Sequence, residues 1–431
     1  MPAALSAAFD KALALIAHDD AAVEAELGRM LAVDTSYPPG ENYGSFADLI
    51  QAATAPAGFE HRRVVVPEEL WRAPGARGER VNLIATRRTG KPVCSLYFHT
   101  DTVPPGEGWS VPPLGLTRDG DRLTGRGAAD MKGTVAAALA AIRAADAAGL
   151  ELAYDPALLL CTDEEGGAYP GIRYLAEQGL VEGHLLSFNG GAAPRIWAGC
   201  FGSIDLLIRV RGRGGHSGDP GNGVNALEAA LPLLNALNAL KPAVAARASA
   251  MPAPPHYGER PLHGLLTVAA VHAGQKGSSL PAVAEILVNR RYAPEERFED
   301  VLAELQDVID RAMETSPALG YDMETTGHLI PVEDPSGPHW PRWQAALAKG
   351  FGFTEFRPWG SSTSSDMGFV QRTGLREILL GGLTRPDNNT HAPDEFTTLT
   401  DVKALATSIL AYLAADFAPD LMPTAQDGAQ Q

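Results

Sequence analysis

Four short segments, far apart in this chain, carry histidine or carboxylate side chains beside small or turn-forming residues. They are His99-Thr100-Asp101, Gly127-Ala128-Ala129-Asp130-Met131-Lys132-Gly133, Thr162-Asp163-Glu164-Glu165-Gly166-Gly167 and Thr390-His391-Ala392-Pro393-Asp394-Glu395. Imidazole and carboxylate are the donors that zinc and similar divalent ions accept. A pair of ions ~3.5–4 Å apart needs one carboxylate shared between them and terminal donors on each. His99, Asp130, Glu165 and His391 meet those needs, and Asp130, in a glycine-flanked turn, is the expected bridge. Asp101 lies two residues past His99. On an extended strand such residues share a face, so Asp101 is expected to hydrogen-bond the other ring nitrogen of His99. Glu164 precedes a ligand and should project differently. A carboxylate there can act as general base, taking a proton from metal-activated water and passing it to a leaving amine.

Taken singly, a strand-end His or Asp is usually structural or solvated, and a Glu-Glu pair is usually a surface feature. The segments gain meaning together, because the intervening sequence describes a sheet that would bring them to one cleft. Val81–Ala85 and Val93–Phe98 read as strands, the second ending at His99. Residues 134–148 read as an Ala-rich helix after Gly133, and Ala157–Cys161 as a strand ending just before Asp163. Strand, ligand, glycine turn and helix in succession predict an α/β fold whose mixed, mostly parallel sheet has helices on both faces. Residues 5–33 read as helical ahead of it. Near residue 203 the character changes. A half-buried strand (Ser203–Val210) leads to a helix from about Val224 to Leu240, strands at Leu265–Ala270 and Ala284–Tyr292, and an amphipathic helix at Phe298–Thr315. That succession predicts an inserted α+β domain at 203–317, with 1–202 and 318–431 forming the catalytic domain. Further on, Trp343–Gly350 reads as a helix, Leu375–Leu380 as a strand and Thr400–Ala414 as a closing helix. The polar tail Pro419–Gln431 is expected to be disordered.

The whole chain limits its partners. It has 431 residues, 45% hydrophobic and 20% charged, which suits two or three globular domains. The formal net charge of -17 disfavours nucleic acid and anionic membrane surfaces. No apolar run reaches the ~18 residues of a membrane span, and no signal peptide is expected at the N-terminus. Cys94, Cys161 and Cys200 are odd in number and lack metal-binding spacing, which predicts free thiols and a reducing, cytoplasmic setting.

These segments resemble the M20 family of metallopeptidases and amidohydrolases, over about residues 20–415. The resemblance rests on His99-Thr100-Asp101-Thr102-Val103-Pro104, the Gly127–Gly133 turn and Asp163-Glu164-Glu165. It implies His99, Asp130, Glu165 and His391 as metal ligands, Asp130 as bridge and Glu164 as general base. It implies a lid or dimerisation domain, here 203–317, and a possible homodimer. His216, in Gly215-His216-Ser217-Gly218, matches the lid histidine that stabilises the oxyanion. Arg291 matches an arginine that holds the substrate carboxylate, a task suited to its forked donors. The Gly360–Asp366 segment resembles a glycine–serine–aspartate stretch near the family's site.

Two positions depart from the pattern. Asn189 stands where the family places an acidic fifth ligand, and a neutral amide oxygen binds a divalent ion more weakly. The ion held by His99 is therefore expected to be weak, exchangeable or absent, while the Glu165–His391 ion remains. Ser278 stands where the family often has an asparagine, so contacts to substrate or oxyanion there are expected to differ. The resulting expectation is a hydrolase using one or two divalent ions, zinc foremost with manganese or cobalt as alternatives. It would cleave an amide bond in a peptide or N-acyl amino acid. The rivals are a hydrolase of N-carbamoyl or other specialised amides and a non-catalytic binding protein with a degenerate metal site.

Overall fold

The computed structural model describes residues 7–417 apart from 74, 167 and 168. The polar tail expected at Pro419–Gln431 lies outside the described residues, as does Gly167 of the third segment. The chain divides into two compact units. The first takes Met1–Trp197, Pro335–Pro358 and Val370–Gln431, and the second takes Ala198–Asp334 and Trp359–Phe369.

The first unit is α/β. Its six-stranded sheet runs Glu60–Val65, Val81–Thr86, Asp155–Cys161, Val93–His99, His184–Gly191, Ile378–Thr384. The last four strands are mutually parallel, and the first two join antiparallel. Every residue of Asp155–Cys161 is buried, as is every residue of Val93–His99 after the first. A strand covered on both faces reads as an unbroken apolar run, which is how these strands show in the sequence. The register sets His99 beside Cys161. Parallel strands end on the same side, so the residues following Cys161 emerge next to His99.

Helix Lys132–Ala148 begins two residues before the predicted start and is buried along nearly its whole length. Its alanines let it pack closely between Ala7–Ala17, Asp20–Leu31 and Leu399–Leu413. Gly149 ends it at φ 68°, donating to the carbonyls of Ala145 and Asp146.

The second unit is α+β. Its antiparallel sheet runs Leu265–Ala273, Val283–Tyr292, Gly202–Arg211, Gly320–Leu329. Ile204, Leu206, Ile208 and Val210 alternate into a core with Ile286, Val288 and the helix residues Leu233, Leu237, Leu305 and Ile309. The predicted helix from Val224 is two pieces, Ala226–Ala229 and Leu231–Ala245. The fourth strand, Gly320–Leu329, departs from the sequence reading. It carries few apolar residues and a bulge between Thr325 and Gly327, so it shows no alternation. The boundary drawn at 317 therefore falls short of Asp334, and Trp359–Phe369 joins this unit as well. No helix among the described residues is long and apolar enough to cross a membrane.

Candidate metal centre

In the first unit, ligand atoms of His99, Asp130 and Glu165 lie within 4.8 Å of one another. The two oxygens of Asp130 face different imidazoles. Oδ1 is 3.0 Å from His99 Nε2 and Oδ2 is 3.4 Å from His391 Nε2. His391 Nε2 is also 3.0 Å from Glu165 Oε2. One carboxylate thus stands between two histidines, with a second carboxylate paired with His391. Two imidazoles and two carboxylates at this spacing suit zinc or a similar divalent ion. A buried Asp101 Oδ1 without a hydrogen-bond partner beside them adds to the negative character.

Asp101 departs from its expected geometry. The ring Nδ1 of His99 is 3.1 Å from the Asp101 carbonyl, while the carboxylate Oδ1 is 3.6 Å away. The strand stops at His99, so the same-face rule for extended residues does not reach residue 101. With Nδ1 donating to the carbonyl, a neutral His99 would turn its Nε2 lone pair toward the Asp130 side, the tautomer a metal ligand needs. Asp101 Oδ2 instead accepts the Glu165 backbone N–H at 2.9 Å, tying the first segment to the third.

The Asp130 turn is held by a residue that the sequence reading assigned no role. Glu395 Oε1 accepts the backbone N–H groups of Ala129 and Asp130 at 3.0 and 3.1 Å. Its Oε2 pairs with Arg126 at 2.5 Å, both side chains being 1% exposed. Its only sequence signal is its place four residues after His391. Lys132, also buried, donates to the carbonyls of Met30 and Val33. Gly133 has no room for a side chain, since a Cβ would sit 2.2 Å from the Ala128 carbonyl oxygen.

The third segment is clamped from residues the sequence reading missed. Asn82 accepts from Thr162 N at 3.0 Å and donates to Pro170 O at 2.8 Å, gripping both arms of the loop. Arg80 Nε donates to Asp163 Oδ2 at 2.7 Å and the Tyr43 hydroxyl to Oδ1 at 2.5 Å, with Arg80 and Asp163 fully buried. Tyr37 lies where a Cβ on Gly166 would approach within 2.1 Å. Asp163 and His391 both adopt left-handed backbone, at φ 55° and 64°, a conformation Asp and His accept more readily than most residues. Asn189 Nδ2 donates to Glu164 Oε1 at 2.6 Å. The ligand role expected of Asn189 would fall to its oxygen, since its nitrogen is committed to Glu164.

The electrostatics agree with a cation site. Hydrogen bonds to the Asp130 and Glu165 carboxylates push His391 up to about 10. Burial opposes the charged form of His99, but Asp101 and Asp130 outweigh it and hold its pKa well above the usual range. Burial raises Glu165, with the His391 contact opposing. Burial, then the Asp101 charge, lifts Asp163 to about 6 against Tyr43 and Arg80. A pocket that retains protons on its imidazoles this strongly favours positive charge.

The other predicted residues belong to the second unit. His216 pairs with Ser279 across a short two-strand ladder, and its Nδ1 accepts the Gly218 N–H at 3.0 Å. The neutral ring then carries its proton on Nε2, as a donor. Ser278 meets the same loop through its carbonyl, which accepts from Ser217 N at 3.1 Å. Arg291 donates to Asn289 Oδ1 at 3.1 Å and to Ser364 Oγ at 2.6 Å.

Comparison with known proteins follows this geometry. The chain is 31% identical over 339 residues to succinyl-diaminopimelate desuccinylase of Acidiphilium cryptum (strain JF-5), covering 76% of this chain and 84% of that protein. Its fold matches the dipeptidase Dug1p from Saccharomyces cerevisiae with a TM-score of 0.76 at 16% identity, covering 96% of this chain and 99% of that one. It matches the M20 family metallo-carboxypeptidase Sso-CP2 from Sulfolobus solfataricus with a TM-score of 0.68 at 17% identity, covering 90% and 98%. At those identities the structural likeness is one of fold. The pattern of Peptidase family M20/M25/M40 matches residues 95–415, and the chain belongs to that family of hydrolases.

Proposed function

We propose that the protein hydrolyses an amide bond in a peptide or N-acyl amino acid, with His99, Asp130, Glu165 and His391 as metal ligands. The observation that carries this reading is the convergence of those four side chains, with Glu164 next in sequence to Glu165. One or two divalent ions there, zinc foremost with manganese or cobalt as alternatives, would polarise the scissile carbonyl and lower the pKa of the attacking water. Asp130, whose two oxygens face His99 and His391, would help hold the ion or ions there. Glu164, held by Asn189, takes the proton from water and delivers it to the leaving nitrogen. His216 offers its Nε2–H to the developing oxyanion. Arg291 receives a carboxylate of the substrate through its forked donors, and Ser278 contributes to the loop beside His216.

Within this class an N-succinyl amino acid is the first substrate to test, because the desuccinylase relative covers most of the chain at 31% identity. The three buried free thiols support a reducing compartment such as the cytoplasm, and a homodimer formed through the second unit is testable by light scattering. The deciding experiment is a hydrolysis screen of N-succinyl, N-acetyl and N-carbamoyl amino acids and dipeptides, with Zn²⁺, Mn²⁺ or Co²⁺ restored to the chelated protein. Metal-dependent release of free amine is the expected result. Ligand binding without turnover under every ion would replace this reading with that of a binding protein.

A further inference from the structure

Strand Val283–Tyr292 carries two adjacent arginines with opposite surroundings. Arg290 faces the core, fully buried, and pairs with Glu296 at 2.5 Å. Arg291 faces the other side of the sheet and has only neutral partners, the Asn289 carbonyl oxygen and the Ser364 hydroxyl. No carboxylate among the described residues pairs with it. Yet one stands close by, because Asp205 is opposite Asn289 in the antiparallel register. Asn289 occupies the space between them. Its Nδ2 donates to Asp205 Oδ1 at 2.6 Å and to Ser203 Oγ at 2.9 Å, while its Oδ1 accepts from Arg291 Nε. The amide can point only this way. Turned over, it would set its N–H against the guanidinium and its oxygen against the Asp205 carboxylate.

We propose that Asn289 is a positioning residue that insulates Arg291 from Asp205, so that the full guanidinium charge stays available to an anionic group of the substrate. The amide satisfies Asp205 with one end and aims the guanidinium with the other. Of the five guanidinium hydrogens, two are spent on neutral oxygens and none on a carboxylate. A carboxylate at position 289 would bind Nε directly and compete with the ligand for the same fork. This inference rests on the proposed role of Arg291 in receiving a substrate carboxylate.

The test compares the wild-type enzyme with Asn289→Asp and Ser364→Asp, each of which places a carboxylate on Arg291 from a different side. If one variant folds poorly, the other still reads the effect. With an N-acyl amino acid as substrate, KM is expected to rise roughly tenfold or more with kcat within about threefold. With the same compound amidated at its carboxyl, KM is expected to be unchanged. A second readout needs no turnover. Phenylglyoxal reacts with arginine side chains, and its rate at Arg291, mapped by mass spectrometry, is expected to fall about tenfold in both variants as the guanidinium gains an ion pair. Unchanged KM and unchanged reactivity in a folded variant would overturn the proposal. If the wild type hydrolyses no carboxylate-bearing amide, the functional reading fails instead, and the labelling rates alone decide whether Asn289 insulates Arg291.

Discussion

Removing the Glu395 carboxylate is expected to destabilise the first unit and loosen its ion site together. Glu395 and Arg126 are each 1% exposed, so Glu395→Ala strands a guanidinium in the interior. Breaking a buried pair from one side costs about 3–5 kcal/mol. The Arg126 Nε already lacks a partner, and its remaining acceptor is the Pro105 carbonyl at 3.3 Å. The N–H groups of Ala129 and Asp130 lose their acceptor too, at about 1–3 kcal/mol each where water cannot reach them. A loss of about 4 kcal/mol or more is therefore expected, against a total stability of about 5–15 kcal/mol. The pair Arg126→Met with Glu395→Gln removes both charges and keeps an amide oxygen for the two N–H groups. It should cost under about 2 kcal/mol. Urea unfolding followed by circular dichroism measures both variants, and titration with Co²⁺ should show affinity for Glu395→Ala weakened about 10–100-fold. A Glu395→Ala protein within about 1 kcal/mol of wild type, or a double variant no better than the single, would refute the reasoning.

Glu164→Gln should keep its metal and lose about 10²–10⁴ in turnover, and retained turnover would remove Glu164 from the base role. Asn189→Asp puts a charged oxygen where a neutral amide stands, so the His99-side ion should bind about tenfold tighter or more. Two equally tight ions per wild-type chain, counted by inductively coupled plasma analysis, would contradict this. Chelation should abolish turnover while the far-ultraviolet circular dichroism stays native. Acid should act through His184, which burial and then the neighbouring His339 hold down at about 3. The unfolded chain takes up that proton near 6.5, so this stability is complete above 6.5. It is lost as pH falls from 6.5 toward 3, by at most ~1.4 kcal/mol per pH unit. His184→Phe should flatten that stretch of the stability curve, and an unchanged acid slope would exclude His184 as the cause.

The legible parts of this chain are those with local signatures. The strands ending at His99 and Cys161 are covered on both faces and read as apolar runs. The proposed ligands His99 and Glu165 stand at or just past their ends. Two of the edge strands lack such a signature because much of their length meets solvent. Glu60–Val65 is mostly exposed, and Gly320–Leu329 offers no buried alternation. The anchors of the site are hidden for another reason. Glu395 meets Asp130 across 265 positions, Arg80 meets Asp163 across 83 and Tyr43 meets Asp163 across 120. A contact that long leaves no periodicity to read. Asp101 stays beside His99, but the strand ends at residue 99, so the ring nitrogen meets the Asp101 carbonyl at 3.1 Å and its carboxylate at 3.6 Å.

Those hidden contacts tie the proposed ligand segments to one another. Each proposed ligand segment is hydrogen-bonded to another by a neighbouring side chain. Asp101, from the His99 segment, takes the Glu165 N–H. Glu395, from the His391 segment, takes the Asp130 N–H. Asn189 holds Glu164, and Arg80 fixes Asp163 just before it. Buried opposite charges are thus paired around the rim of the centre, whereas in the centre carboxylates face histidines whose protons a cation can displace. In small zinc domains the ion's binding energy is the folding energy. Here the sheet and its cross-links also hold the segments, so removing the ion is expected to cost reactivity while the circular dichroism stays native.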